Sequence, residues 1–222
     1  MNKTCVLIPS YNEARTIGGI VKDVIGLGLK AYVIDDGSSD DTAAIARKAG
    51  AVVVKHETNK GKGASLREGF KHVLKGKFEA AIIIDGDAQH EVISIPDFIK
   101  KAQDGNTDLV IGNRMLDTKG MPFIRRATNR FMSWIVSRIC GQKIPDTQCG
   151  YRLIKRKVLE AVELKSSNFE IESELIIKAC RKGFRVGSVP IKTIYNDEKS
   201  KINPIVDTLR FMVFMVKLWR DK

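Results

Sequence analysis

Residues 80–90 read AAIIIDGDAQH. A short apolar, β-branched run bounded by Gly and Asp predicts a strand buried on both faces. That strand would deliver two carboxylates, Asp85 and Asp87, to its end. Burying unpaired charge is costly, and in open α/β sheets ligands sit off the carboxyl ends of the strands. Asp85 and Asp87 therefore read as oxygen ligands for a divalent cation that itself grips phosphates. Mg²⁺ is held in this way, by one or two carboxylates plus substrate phosphates. The plainer alternative for D-x-D alone is an acidic turn after a strand.

The elements that would position this pair alternate along the first half of the chain. Strands are expected over 4–9, 31–34, 51–55, 80–84 and 108–112. Helices are expected from after Glu13 to about Leu27, to about Ala49 with Ser39 or Asp40 as cap, over 64–74 and over 96–103. Residues 59–63 (NKGKG) read as a flexible basic loop. Strands alternating with helices predict a mostly parallel sheet with helices on both faces. Right-handed crossovers would bring Tyr11, Glu13, Asp35, Asp36, Lys62, Asp85 and Asp87 to one edge. Each alone reads more often as a turn residue or helix cap, and it is the meeting of four loops that marks a site.

Past Gly112 the pattern changes. Residues 122–140 have helical period, with Arg125, Arg126, Arg130 and Arg138 beside Phe131 and Trp134. Such a helix suits a membrane surface, or a core contact with a solvated basic face. Residues 146–152 (DTQCGYR) form a polar stretch leading into Leu153 and Ile154. A helix is expected over 169–181, with Glu170, Glu172 and Glu174 near its start, where the helix dipole favours acids. Residues 185–190 read as a strand, an edge one given its terminal proline. Residues 195–201 read as a polar loop, and 204–219 as a helix dense in Phe, Met and Val. The organisation expected is one domain over 1–203 with an amphipathic, basic extension over 204–222.

The chain of 222 residues carries a net charge of +12. Residues 1–113 hold 15 basic and 15 acidic side chains, and residues 114–222 hold 23 and 11. The whole excess thus falls in the second half and points to an anionic partner there: nucleic acid, phosphates or an anionic membrane. No RNA-type aromatic motif accompanies the charge, which argues against nucleic acid. No apolar run reaches the roughly 18–20 residues of a membrane span. Four scattered cysteines without a C-x-x-C pair, and no signal-peptide pattern, lead to an expectation of reduced thiols in the cytosol. Neither G-x-x-x-x-G-K-[ST] nor an early G-x-G-x-x-G occurs, so a P-loop NTPase and a dinucleotide oxidoreductase are not expected.

Six motifs occur in order: IPSYNEA at 8–14, DDGSSDDT at 35–42, NKGKG at 59–63, DGDAQH at 85–90, GNR at 112–114 and DTQCGYR at 146–152. Together they resemble the family 2 glycosyltransferases of GT-A fold, in the branch of polyprenyl (dolichyl) phosphate sugar synthases. The resemblance implies a Rossmann-like α/β sheet with amphipathic C-terminal helices. It implies a nucleotide-sugar donor held by Pro9, Tyr11, Glu13, Asp35, Asp36, Lys62 and Asp85. It further implies Mg²⁺ or Mn²⁺ at Asp85, Asp87 and Gln89, and a polyprenyl phosphate acceptor at Arg114, Arg125 and Asn129. Ser200 and Lys201 resemble the Ser-Lys of a loop that closes over the donor. Two departures tilt the donor toward a UDP-sugar rather than GDP-mannose: Tyr195 stands where the mannosyl branch has Arg, and DTQCG resembles the glucosyl branch. The implied reaction is a single inverting displacement with no general base, Asp87 and Arg114 carrying the catalysis. Asp146 is the candidate base if the acceptor is a hydroxyl of a glycan or lipid, and otherwise a loop residue bonded to Arg152 or to backbone. The implied setting is the cytosolic face of a membrane, as a peripheral protein, with a homo-oligomer left open.

Overall fold

The computed structural model describes residues 3–192, 211 and 213–215. Buried β-branched and aliphatic runs form the strands β1 (Thr4–Ser10), β2 (Lys30–Asp35), β3 (Val52–Lys55), β4 (Ala80–Ile83), β5 (Leu109–Asn113), β6 (Arg152–Lys155) and β7 (Val186–Pro190). The helices are α1 (Ile17–Gly26), α2 (Thr42–Lys48), α3 (Lys62–Lys75), α4 (Ile95–Gln103), α5 (Phe123–Cys140), α6 (Arg156–Ala161) and α7 (Ile171–Arg181), with a 3₁₀ turn at Val92–Ser94. The seven strands form one sheet in the order β3-β2-β1-β4-β6-β5-β7. All neighbours are parallel except β6, which runs antiparallel between β4 and β5.

The parallel part follows the alternation in the sequence. Helix α3 lies against β1 and β2, where Gly69 lets it approach Leu7 and Ile34, and α6 packs beside it. Helix α1 packs on α2, and α4 on β5, β6 and β7. The proline-terminated strand β7 is an edge strand, as expected. Strand β6 and helix α6 were not expected as elements. Their sequence, RLIKRKVLEA, opens on a charged residue that a four-residue strand cannot advertise as core.

Of the two residues expected to cap α2, Asp40 is the one that bonds its first N–H: its Oδ1 accepts the Thr42 N–H at 3.0 Å, and its Oδ2 accepts the Ala14 N–H at 3.1 Å. The adjoining Asp41 makes no side-chain cap. The 59–63 loop is pinned rather than flexible. Asp36 accepts the Lys60 and Gly61 N–H groups, and the Ser167 carbonyl accepts those of Gly63 and Ala64. A Cβ on Gly61, which sits at φ 90, would stand 2.5 Å from that carbonyl, so only glycine permits the approach.

Ser200, Lys201 and Tyr195 lie outside the described residues, as does most of 204–222. Within that last stretch Phe211 is buried, and Phe214 and Met215 pack against the core.

Candidate active site

Strands β1, β2 and β4 end side by side, and their loops meet at one edge of the sheet. Residues 11–14 are fastened to 38–42. The Asn12 N–H donates to Ser38 Oγ, the Ser39 N–H to Asn12 Oδ1, and the Glu13 N–H to Thr42 Oγ1, all at 2.8–2.9 Å. Asn12 takes the left-handed conformation, φ 55, that Asn tolerates. Thr16 Oγ1 donates to the Gly86 carbonyl at 2.6 Å, tying the start of α1 to the Asp85–Asp87 loop. That loop turns through Ala88 at φ 58, a conformation that costs an L-residue roughly 1–2 kcal/mol.

Beneath these loops lies a pocket of 290 Å³ whose lining includes Pro9, Tyr11, Asp36, Lys62, Ser65 and Phe169. Glu13 lines it too. Of the expected nucleotide-binding residues, Pro9, Tyr11, Glu13, Asp36 and Lys62 are thus brought together. Asp35 is fully buried: its Oδ1 accepts the Ser38 N–H and its Oδ2 lies 3.7 Å from Lys55 Nζ. Ser65, Asn168 and Phe169 were missed. Ser65 reads as one more small residue in a helix and Phe169 as the start of the next one. The Ser65 Oγ is buried without a hydrogen-bond partner inside this pocket.

Lys62 closes the far side. Its ammonium lies 2.7 Å from Asp85 Oδ1 and 2.8 Å from Glu172 Oε1. Burial would lower the Lys62 pKa, but the two carboxylates more than offset it and raise it above the ordinary value. Burial would likewise raise Asp85, yet Lys62 beside it holds the carboxyl below its usual range. Asp87 goes the other way. Burial, then the Asp85 charge, push it up to about 6. Two neighbouring carboxylates, one so destabilised in its charged form, fit a site that gains from a cation. Gln89 is placed by its N–H, which donates to Asp87 Oδ1 at 3.0 Å. Among the described residues no group of three or more His, Cys, Asp or Glu side chains could hold a metal. Asp85 and Asp87 bring two carboxylates to this loop, a pair whose chemistry fits a divalent cation completed by phosphate oxygens.

The 146–152 stretch forms the floor. Asp146 is buried and takes both Nε and Nη2 of Arg114, at 2.7 and 2.9 Å. Its partner is thus Arg114 and not Arg152. Both oxygens of Asp146, the candidate base should the acceptor be a hydroxyl, are thus taken up by the Arg114 guanidinium. Arg152 is instead a fully buried strut, donating to the carbonyls of Thr147, Cys149 and Glu172 at 2.6–2.8 Å. The Arg114 charge reaches Asp85, whose carboxyl it helps to lower. Ser133 joins α5 to this floor, accepting the Thr147 N–H at 2.9 Å. Arg125 and Asn129 stand one turn apart on α5, the first half-buried and the second buried, with the Asn129 Nδ2 unpartnered. His90 had no expected role. It is buried against Tyr151, ring centroids 5.5 Å apart, and burial pushes its pKa down to about 4.

Residues 5–163 match the family described as glycosyl transferase family 2. The chain belongs to this family. This family 2 glycosyltransferase is 35% identical to an uncharacterised protein of Methanocaldococcus jannaschii, over 86% of this chain and 82% of the relative. It is 31% identical to a dolichyl-phosphate hexose transferase of Haloferax volcanii, over 90% of this chain and 86% of the relative. It is 27% identical to a UDP-N-acetylglucosamine–dolichyl-phosphate N-acetylglucosaminyltransferase of Methanococcus voltae, over 86% of each. The motif-based likeness to the polyprenyl-phosphate branch is borne out by these relatives. Glucosyl-3-phosphoglycerate synthase of Mycobacterium tuberculosis has the same fold, at a TM-score of 0.75 and 17% identity, over 96% of this chain and 79% of the other. That synthase has also been solved with Mn²⁺ and uridine diphosphate. The fold is GT-A, as the motifs implied.

Proposed function

We propose that this glycosyltransferase moves a sugar from a nucleotide-sugar, a UDP-sugar in preference to GDP-mannose, to the phosphate of a polyprenyl (dolichyl) phosphate. The observation that carries the reading is the meeting of three groups. The pocket lined by Pro9, Tyr11 and Asp36 opens onto Lys62. Lys62 touches Asp85. The Arg114 guanidinium, held by Asp146, is near enough for its charge to help lower the Asp85 carboxyl. Donor nucleotide, diphosphate and acceptor phosphate would then lie in sequence across one edge of the sheet.

Asp85 and Asp87, with Gln89 beside them, would hold Mg²⁺ or Mn²⁺, which when bound stabilises charge on the departing diphosphate. Lys62 would grip the same diphosphate. The acceptor phosphate oxygen attacks the anomeric carbon, and the bond from that carbon to the diphosphate oxygen breaks with inversion. A phosphate monoester is already anionic, so no base is required, in keeping with the engagement of Asp146 by Arg114. Arg114 keeps Nη1 free of Asp146, and Asn129 offers an unpartnered N–H. These donors suit phosphate oxygens. Asp146 being spent in this way weighs against the second reading, transfer to a hydroxyl.

A polyprenyl substrate lies in a bilayer. Among the described residues no helix is long and apolar enough to cross one. Helix α5 exposes Phe123, Ile124, Phe131 and Trp134 beside Arg130 and Arg138, which supports docking in the interface plane of an anionic, cytosolic leaflet. In the same reading residues 1–203 form the catalytic domain and 204–222 its amphipathic extension.

The test is a panel of UDP- and GDP-sugars offered with polyprenyl phosphate or the matching polyprenol, with Mn²⁺ or Mg²⁺. The expected product is a polyprenyl phosphate sugar from one UDP-sugar. Transfer to the polyprenol at an equal rate, or from GDP-mannose alone, would overturn the reading.

A further inference from the structure

Glu172 has more to do than its place in the sequence requires. In the first turn of α7 an acid is adequately explained by the helix dipole. Glu174, two residues on, behaves as a local structural acid. It accepts the Lys165 and Ser166 N–H groups and pairs with Lys178. Glu172 turns elsewhere. Its Oε1 is 2.8 Å from Lys62 Nζ, and its Oε2 is 3.6 Å from Arg152 Nη2. Arg152 is itself locked by three carbonyls, one of them Glu172's own. The carboxylate is thereby fixed from behind. Glycine at residue 150 leaves the cluster the room it takes. A Cβ there would stand 2.7 Å from Asp85 Oδ2, 2.8 Å from Lys62 Nζ and 3.1 Å from Glu172 Oε1.

The consequence concerns competition for Asp85. Lys62 is a cation seated on an oxygen that the divalent ion would use. If Asp85 were its only partner, the whole attraction of the ammonium would oppose metal binding. Glu172 divides that attraction, and it gives Lys62 somewhere to remain when the ion takes Asp85.

We propose that Glu172 is a positioning residue that shares the Lys62 ammonium with Asp85, easing divalent-cation entry and keeping Lys62 beside the diphosphate position. The proposal rests on the reading of Asp85 and Asp87 as the metal site. It assigns Glu172 no contact with the sugar and no proton to carry.

The experiment titrates Mn²⁺ alone into the full chain and follows free Mn²⁺ by its paramagnetic resonance. The proteins are the wild type, Glu172→Gln, Lys62→Gln and the double variant, each checked for folding by circular dichroism. Glu172→Gln should weaken Mn²⁺ binding by about fivefold, a coupling of the size adjacent charges show. Lys62→Gln should tighten it, since the competing ammonium is gone. In the Lys62→Gln background the Glu172→Gln change should have little further effect. An equal Glu172→Gln effect in both backgrounds would mean that the carboxylate acts on the ion through space, and would overturn the proposal. So would wild-type affinity in Glu172→Gln. Were Glu172→Gln to misfold, Lys62→Gln decides: unchanged or weaker Mn²⁺ binding refutes the competition. Mn²⁺ binding that is lost in Asp87→Asn but indifferent to Glu172 sinks this inference alone. Absence of binding to the wild type both with and without uridine diphosphate overturns both it and the metal reading.

Discussion

Arg114 and Asp146, 32 positions apart, form a buried two-pronged ion pair: Nε and Nη2 meet the two carboxylate oxygens at 2.7 and 2.9 Å, and the Arg114 N–H donates to Oδ2 at 3.1 Å. One carboxylate thus fixes both the backbone and the side chain of the residue that follows β5. Removing one partner of such a pair strands the other as a buried charge, at a cost of about 3–5 kcal/mol. Asp146→Asn should lose stability of that order in urea unfolding. Arg114→Lys keeps a charge but not the fork, and should raise the acceptor KM or lower kcat with little change in donor affinity.

Asp87→Asn should abolish most turnover and yet stabilise the metal-free protein at neutral pH. Burial and the Asp85 charge raise the Asp87 pKa from 3.8 to about 6. The folded state therefore holds this proton more tightly than the unfolded chain, and stability falls as pH rises through that window. The advantage of the amide should be full above about pH 6 and absent below about pH 4, as read from urea midpoints in EDTA.

Glu174 has the opposite sign. Burial opposes its charge, but Lys178 and the Ser166 and Lys165 N–H groups hold its pKa below the ordinary 4.5. Its contribution is present above that value and is lost as pH falls through the lowered one. Glu174→Gln should cost about 2 kcal/mol at pH 7, typical of hydrogen bonds to a charged group. The gap from the wild type should close in acid.

Phe131 and Trp134 are 48% and 57% exposed on α5, so replacing both with Ser should change stability by no more than about 0.5 kcal/mol each. Co-sedimentation with anionic vesicles should fall sharply, and UDP binding should be spared. Vesicle binding at the wild-type level would remove α5 from the membrane contact.

What was legible in the sequence was whatever neighbouring residues decide among themselves. The runs at 4–10, 30–35 and 80–83 are apolar enough to be strands on their own account, and their period of alternation with helices implies parallel neighbours. Once β1, β2 and β4 are parallel, their terminal loops must share an edge. The sequence alone therefore groups Tyr11, Glu13, Asp36, Lys62 and Asp85. Such local cues carry no information about partners across the chain. The antiparallel β6 slides between β4 and β5 because only tertiary packing leaves that slot open. Asp146 selects Arg114 over the nearer Arg152 because the chain folds the former onto it and spends the latter on three carbonyls. Glu172 is indistinguishable from Glu170 and Glu174 as an acid at a helix start; the docking of α7 behind Lys62 decided which of them reaches the site. Charge pairing falls off with distance in space, not along the sequence, so these pairings belong to the tertiary structure.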